Sequence, residues 1–478
     1  MFSLRHRSGQ AFLLLLVAFL IRSPFYGNPV IHSDEQFYLL VGDRLLHGAW
    51  PYVDIFDRKP VGLFLVFAAI RSVGGNGVLM YQLAATLVAA GTAFLVARIV
   101  DRLSPAGAGR LAGLGAGMIY LVWIIVFDGA GGQSAVWGNA LMAPAALLVL
   151  DTTRGHRHIS LRGAGSMLLI GMAMQIKYTA MFEGIFFGLT LLWAARDAGR
   201  TTGRLAADAA LWIGAALLPT ALAWAVYAAA GHGDAFVFAN FLSIFHRNPD
   251  PLGELAGNLG QIVLVISPIV AIASLALHRS AMTRARRFVA LWLAVSIAGV
   301  IVFRPWFDHY SLPVLLPACA AAAGLLGRDD WQRWRTPALL LTAALAGQIT
   351  LVIQRLERGE ARQFAALSAA VGRGPGCLWV YSGSTMLYVS TARCAPSRYI
   401  VPSHLARTRE AGATGIDQQQ EIRRILAARP AVVVMRPPYG GERPEARAAV
   451  MAAMAADYAL AAALPMGNET ISVYKRLR

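Results

Sequence analysis

Between Gly77 and Val100 the sequence holds one charged side chain, Arg98, and between Leu205 and Ala230 it again holds one, Asp208. Each run exceeds the roughly 20 residues a helix needs to cross the hydrocarbon core of a bilayer. Such a segment has few structures open to it, because in lipid every backbone N–H and C=O must be satisfied internally. Gln10 to Ile21, Leu259 to Leu277 and Pro337 to Ile353 are similar in character. Apolar segments recur at approximately 10–26, 60–73, 77–100, 110–128, 135–151, 164–176, 178–195, 205–230, 259–277, 288–303, 310–326 and 336–355. Composition agrees: 14% of residues are charged, against about 25% in soluble domains. The reading is a mainly α, polytopic membrane protein of about 11–13 transmembrane helices. The first segment reads as an uncleaved helix, since no small-residue cleavage site follows Leu20.

A net charge of +17 would suggest nucleic acid in a soluble chain. Here the arginines cluster in short connections, Arg98 to Arg110, Arg154 to Arg162, Arg196 to Arg204, Arg279 to Arg287 and Arg328 to Arg335. That is how topology is set in a bacterial inner membrane, and no nucleic-acid partner is expected. Placing these connections in the cytoplasm puts His32 to Lys59, His232 to Gly257, Arg304 to His309 and everything after Gln354 on the periplasmic face. One conflict stays open: two spans between Lys59 and Arg98 would leave an arginine connection on the wrong side. Of 43 basic residues only Lys59, Lys177 and Lys475 are lysines. Where arginine has replaced lysine almost everywhere, those that remain are candidates for sites needing a compact ammonium.

After Gln354 the pattern changes. Strand-like runs at Leu378 to Ser382, Tyr399 to Val401, Ala431 to Met435 and Thr470 to Tyr474 alternate with helical patterns at Ile416 to Ala428 and Pro444 to Ala456. The expected organisation is a transmembrane module over 1–358, including the first loop 32–59, and a small periplasmic α/β domain over 368–478. Cys377 and Cys394 would pair in an oxidising compartment.

The first loop carries the sharpest signal. Ser33 and Gln36 stand at capping-box spacing, Asp34 and Glu35 fall in the first helical turn, and Leu39, Leu40, Leu45 and Leu46 form a stripe suited to a helix on the membrane surface. Gly48 ends it; Trp50, Tyr52 and Phe56 follow, then Asp57-Arg58-Lys59-Pro60. Taken alone, the acidic pair reads equally as a helix start. Beside the basic cluster it suits chemistry on a lipid-anchored phosphate, where a carboxylate takes a proton from an acceptor hydroxyl and a cation stabilises the leaving phosphate. Asp34, Asp54 and Asp57 are also a possible set for a divalent cation. Lys177 lies within apolar sequence, where a charge is costly.

These residues resemble the GT-C membrane glycosyltransferases, in the branch containing protein O-mannosyltransferases and lipid A aminoarabinose transferases. The resemblance rests on the acidic pair after the first helix, Tyr38, Gly48-Ala49-Trp50-Pro51-Tyr52, the Asp-rich stretch and Lys59-Pro60. Weaker echoes are Gln175 to Ala180 around Lys177, and Arg304 to Pro317 with His309-Tyr310. The chain has Lys59-Pro60-Val61 where many members have Lys-Pro-Pro. The resemblance implies a polyprenyl-phosphate-sugar donor, a lipid, glycan or protein acceptor, inversion at the sugar and no required metal or cofactor. It implies Asp34 as general base with Glu35 in support, Lys59, Arg58 and Arg304 at the donor phosphate, and Tyr38, Asp57, Lys177, His309 and Tyr310 near substrate. The contrasting reading, from another class, is a transporter or lipid-linked-glycan flippase; the chain shows no internal repeat of the kind such proteins carry.

Overall fold

The computed structural model describes residues 6–103, 110–155 and 158–477. Parts of the connections Arg98 to Arg110 and Arg154 to Arg162 therefore lie outside the described residues. Among the described residues, eight helices are long and apolar enough to cross a membrane: Arg7–Phe25, Gly77–Leu103, Ser134–Arg154, Thr202–Ala229, Leu252–His278, Arg284–Val302, Asp308–Leu326 and Arg335–Val371. Val61–Ser72, Leu111–Val126 and Ile159–Met174 are shorter apolar helices. Large apolar side chains such as Leu217, Leu222, Leu264 and Ile349 face outward on these helices. In water that would be a liability; in a multi-pass membrane protein it is the lipid-facing surface.

By internal contacts the chain forms two compact units. The first comprises Met1–Pro24, Gln82–Ala223 and Pro251–Thr350. It is helical. Small residues let its helices approach closely: a Cβ on Gly163 would lie 2.3 Å from the Trp212 ring, whose indole N–H donates to the Ser160 carbonyl at 3.0 Å. Several polar groups inside the bundle are paired. Glu183 accepts from Trp292 Nε1 at 2.5 Å and Ser296 Oγ at 3.0 Å, and Asn139 Nδ2 donates to the Leu312 carbonyl at 3.1 Å. Lys177 sits in the break between helices Ile159–Met174 and Ala180–Asp197.

The second unit gathers Phe25–Tyr81, Trp224–Asp250 and Leu351–Arg478. The first loop thus folds with the C-terminal segment. Its sheet has the order β1-β2-β4-β3, with β1 (Leu378–Val380) parallel to β2 (Val432–Met435). β4 (Glu469–Arg476) is antiparallel to both β2 and β3 (Tyr458–Met466). Helices Gln418–Ala427 and Pro444–Asp457 occupy the expected patterns. Two strand assignments differ from expectation. Tyr399 to Val401 is irregular, held between Pro396 and Pro402 with Tyr399 buried against Phe56 at a ring distance of 5.3 Å. β3 reads in sequence as a continuation of the alanine-rich helix before it; pairing with β4 makes it a strand, because tertiary partners outweigh weak local preference. Cys377 and Cys394 are disulfide-bonded.

The helix Ser33–Leu46 also departs from expectation. Ser33 forms no cap bond; the Gln36 amide instead donates to the carbonyls of Val30 at 3.2 Å and His32 at 3.0 Å, drawing in the chain that enters the helix. Phe37 to Gly42 are all buried, so the apolar stripe of this helix packs into the unit. Its partner is Val61–Ser72. A Cβ on Gly42 would lie 2.7 Å from the backbone of Phe67 and Ala68, so only glycine permits this crossing. Gly48 closes the helix with φ +87°, as expected of a left-handed terminator.

Glu410 ties the three segments of this unit together. Its buried carboxylate meets Arg58 Nη1 at 2.7 Å and Arg247 Nη2 at 2.9 Å. Ser243 Oγ accepts from Arg58 Nε at 2.7 Å and donates to the Ala413 carbonyl at 2.5 Å. Burial alone would raise the Glu410 carboxyl, but Arg58, His404 and Arg247 outweigh it and hold it below the usual range. Glu410→Ala should cost about 3–5 kcal/mol by leaving buried guanidiniums uncompensated, seen as a lowered thermal midpoint in detergent. Asp457→Ala, which removes the exposed partner of Arg429, should change that midpoint little.

Candidate functional site

Asp34 and Lys59 line one cavity of about 690 Å³ in the second unit, together with Ser33, Gln36 and Asp57. The opposite wall comes from the C-terminal segment and includes Arg358, Ser384, Arg407, Arg436, Tyr439 and Glu469. Each functional side chain is placed by a local constraint. Asp34 stands in the first turn of its helix and accepts from the Tyr38 hydroxyl one turn on, at 3.1 Å. Tyr38 is fully buried, and its phenol is raised well above its ordinary value by burial, then by Asp34, Glu35 and Asp57. It is therefore a protonated donor that orients the Asp34 carboxylate. Glu35 is also fully buried, and it is Asp34 that faces the cavity.

Lys59 is fixed at its backbone from both ends. Its carbonyl accepts from the Tyr52 hydroxyl at 2.8 Å and its N–H donates to Asp57 Oδ1 at 2.8 Å. Its ammonium lies 3.5 Å from Asp57 and passes over the rings of Tyr38 at 5.3 Å and Phe37 at 5.9 Å. About a third of the side chain is exposed, and it lines the cavity. Arg58, its neighbour in sequence, points away into the Glu410 cluster and does not line this cavity. The two cations therefore do not act as a pair.

On the far wall, Arg436 pairs with Glu469 and lies 4.5 Å from the Tyr439 ring centroid, with Arg407 on the same ring at 6.0 Å. Ser384 Oγ donates to the Gln36 amide oxygen at 2.5 Å, joining the two walls. The β3–β4 turn reaches the helix ending at Arg358: a Cβ on Gly467 would lie 2.0 Å from the Glu357 carbonyl. Sequence reasoning missed Arg358, Arg407, Arg436 and Tyr439. They stand about 300 residues or more from the first loop, with no spacing to relate them to it.

The other candidates lie in the helical unit. Lys177 Nζ is 4.0 Å from the Tyr310 ring centroid, and both border a small void of about 30 Å³ beside Glu183 and Ser296. His309 contacts Tyr310 edge-on at 4.9 Å and Asp308 at 3.4 Å. Arg304 is exposed and lies over Trp306 at 5.2 Å. Among the described residues, no three His, Cys, Asp or Glu side chains converge as a metal-binding group. Asp54, one of the three aspartates considered for that role, accepts from the Trp50 N–H at 2.7 Å and lines a different cavity.

The fold matches solved structures over its whole length. ArnT from Cupriavidus metallidurans bound to undecaprenyl phosphate aligns with a TM-score of 0.67 at 13% identity, covering 97% of each chain. The apo form gives 0.67 at 14% identity over 98% of each. The mycobacterial arabinofuranosyltransferase AftD gives 0.52 at 16% identity, over 100% of this chain and 40% of its own length. The chain shares the fold of these structures. No protein-family model matches it, and no curated protein matches it in sequence. The fold resemblance suggested by the first loop therefore holds at the level of three-dimensional structure.

His404 backs the site. It is buried, with Nε2 3.8 Å from Asp57 Oδ2 and its ring against Phe56 at 5.2 Å. Burial pushes its pKa down to about 4, against the opposing pull of Asp57 and Glu410. Between pH 6.5 and 4 the unfolded chain takes up a proton that the folded chain refuses, so stability should fall as pH drops through that window. The size is about 3 kcal/mol. Thermal melts at pH 7 and 4.5 should show a smaller acid loss for His404→Gln than for the parent.

Proposed function

We propose that the protein is a glycosyltransferase moving a sugar from a polyprenyl-phosphate-linked donor to a hydroxyl acceptor with inversion. The observation that carries this is the pairing of Asp34 and Lys59 on one cavity within a fold shared with a structure of ArnT bound to undecaprenyl phosphate. In the proposed reaction Asp34 takes the proton from the acceptor hydroxyl as its oxygen attacks the anomeric carbon. The bond to the polyprenyl phosphate breaks on the opposite face, and Lys59 stabilises the phosphate that leaves. A phosphate needs little protonation to depart, so one carboxylate base suffices. Tyr38 orients that base, and Asp57 sets the position of the ammonium. Arg407 and Arg436 offer further cationic contact across the cavity.

The transfer face is the periplasmic side of an inner membrane in this reading. The Cys377–Cys394 disulfide supports it, since such bonds persist in oxidising compartments. The sugar, hexose or pentose, and the acceptor class are the finer questions that the assay below addresses.

Purified protein in nanodiscs should transfer sugar from an undecaprenyl-phosphate-sugar to a hydroxyl acceptor or to water. Asp34→Asn should reduce transfer by about 10²-fold or more while retaining binding of undecaprenyl phosphate. Lys59→Ala should weaken that binding as well. A fully active Asp34→Asn protein would remove the base assignment, and lipid translocation without transfer would favour the flippase reading.

A further inference from the structure

The loop that supplies Asp57 and Lys59 to one cavity also walls a second. Asp54 and Ile55 face a separate cavity of about 620 Å³, closed on its other side by the irregular segment from Cys394 to Ile400 and by the helix Gln418–Ala427. We propose that this second cavity binds an acidic saccharide, one carrying a carboxylate or a phosphate on a polyhydroxylated ring.

The walls are built rather than incidental. The irregular segment is anchored by the Cys377–Cys394 bond, by Ser397 Oγ donating to Glu421 at 2.6 Å, and by Arg424 donating to the Pro396 carbonyl at 2.9 Å. The first loop joins it through the Phe56 N–H, which donates to the Arg398 carbonyl at 3.0 Å.

The charges then select a ligand. Glu421 is neutralised by Arg424 at 2.6 Å. Arg44 and Arg398, by contrast, have no carboxylate within ion-pair distance among the described residues. Arg44 is steadied by the Arg393 carbonyl at 3.2 Å, and Arg398 by the Tyr399 hydroxyl at 2.8 Å and the face of its ring at 5.1 Å. Each guanidinium is thus positioned with donors to spare, and its planar fork matches a carboxylate or phosphate. Asp54, in the same cavity, would repel a bare anion but accepts hydrogen bonds from hydroxyls. A ligand combining one anionic group with several hydroxyls satisfies both. The volume lies in the range of small-molecule sites and far exceeds that of a simple ion. Ile55 in the wall of this cavity stands two positions before Asp57 and four before Lys59, so occupancy would bear on the loop that serves the transfer cavity.

The test is binding to the full chain in nanodiscs by calorimetry, which does not depend on sugar transfer. The probes are tetragalacturonate, glucose 1-phosphate and neutral maltotetraose. Binding of either acidic probe over maltotetraose is expected, and which one binds names the anionic group. Arg44→Gln and Arg398→Gln should each weaken it about tenfold, with Arg→Lys at either position recovering part of the loss. Lys59→Ala should leave it unchanged. Affinity of the unaltered protein should also fall several-fold between 50 and 200 mM salt. Equal binding of maltotetraose, binding of no probe, insensitivity to salt, or loss on Lys59→Ala in place of the arginine changes would each overturn the proposal.

Discussion

A carboxylate buried against two guanidiniums holds together residues about 190 and 350 positions apart in the chain. Glu410 faces Arg58 from the first loop and Arg247 from the connection between two long apolar helices. Removing such charges from water is costly, and only close geometry with further hydrogen bonds offsets that cost. Ser243, the Ala413 carbonyl and Arg409 with Asp250 add such contacts around the cluster. What it secures is direction. With Arg58 drawn into the cluster, Asp57 and Lys59 on either side of it are presented to the cavity. An arginine next to a catalytic candidate can thus serve by pointing the other way.

Much of the helical unit was legible in one dimension. Segments expected at 135–151, 178–195 and 288–303 form helices Ser134–Arg154, Ala180–Asp197 and Arg284–Val302, because a bilayer demands long apolar runs and little else. The loop 32–60 was legible in a different way: its residue types fit one chemistry, and the structure brings Asp34, Asp57 and Lys59 to the same cavity. Partners were not legible. The leucine stripe of Ser33–Leu46 suits lipid and protein equally well, and Gly42 was the overlooked sign that another helix crosses there. Gln36 and Ser33 had the spacing of a capping box, yet Gln36 bonds backward to Val30 and His32. β3 shows no strand pattern of its own, and the far wall of the cavity was invisible because Arg407 and Arg436 carry no local mark that separates them from other arginines.

Lysine and arginine divide the work in a chain that holds three of one and 40 of the other. Arginine forks suit the planar pairs that fasten one element to another, as in Arg102 with Asp151, where Nε donates to Oδ1 at 2.9 Å and Nη2 to Oδ2 at 3.2 Å. A compact ammonium suits a place where a charge must turn among ring faces, a carboxylate and an open cavity. Lys59 meets all three, and Lys177 sits on the face of Tyr310.

Gln36 meets Ser384 at the transfer cavity and Arg44 meets the Arg393 carbonyl beside the second one, contacts separated by 348 and 349 residues. A chain emerging from the ribosome makes Asp34 more than 400 residues before the β3–β4 turn. Throughout synthesis the early loop therefore exists without its opposing wall, and the late segment must cross to the same side before either is complete. Contacts of such separation form late and slowly. The pocket is therefore complete only once both of its walls have been made, so a shorter growing chain holds no finished site for a lipid to occupy.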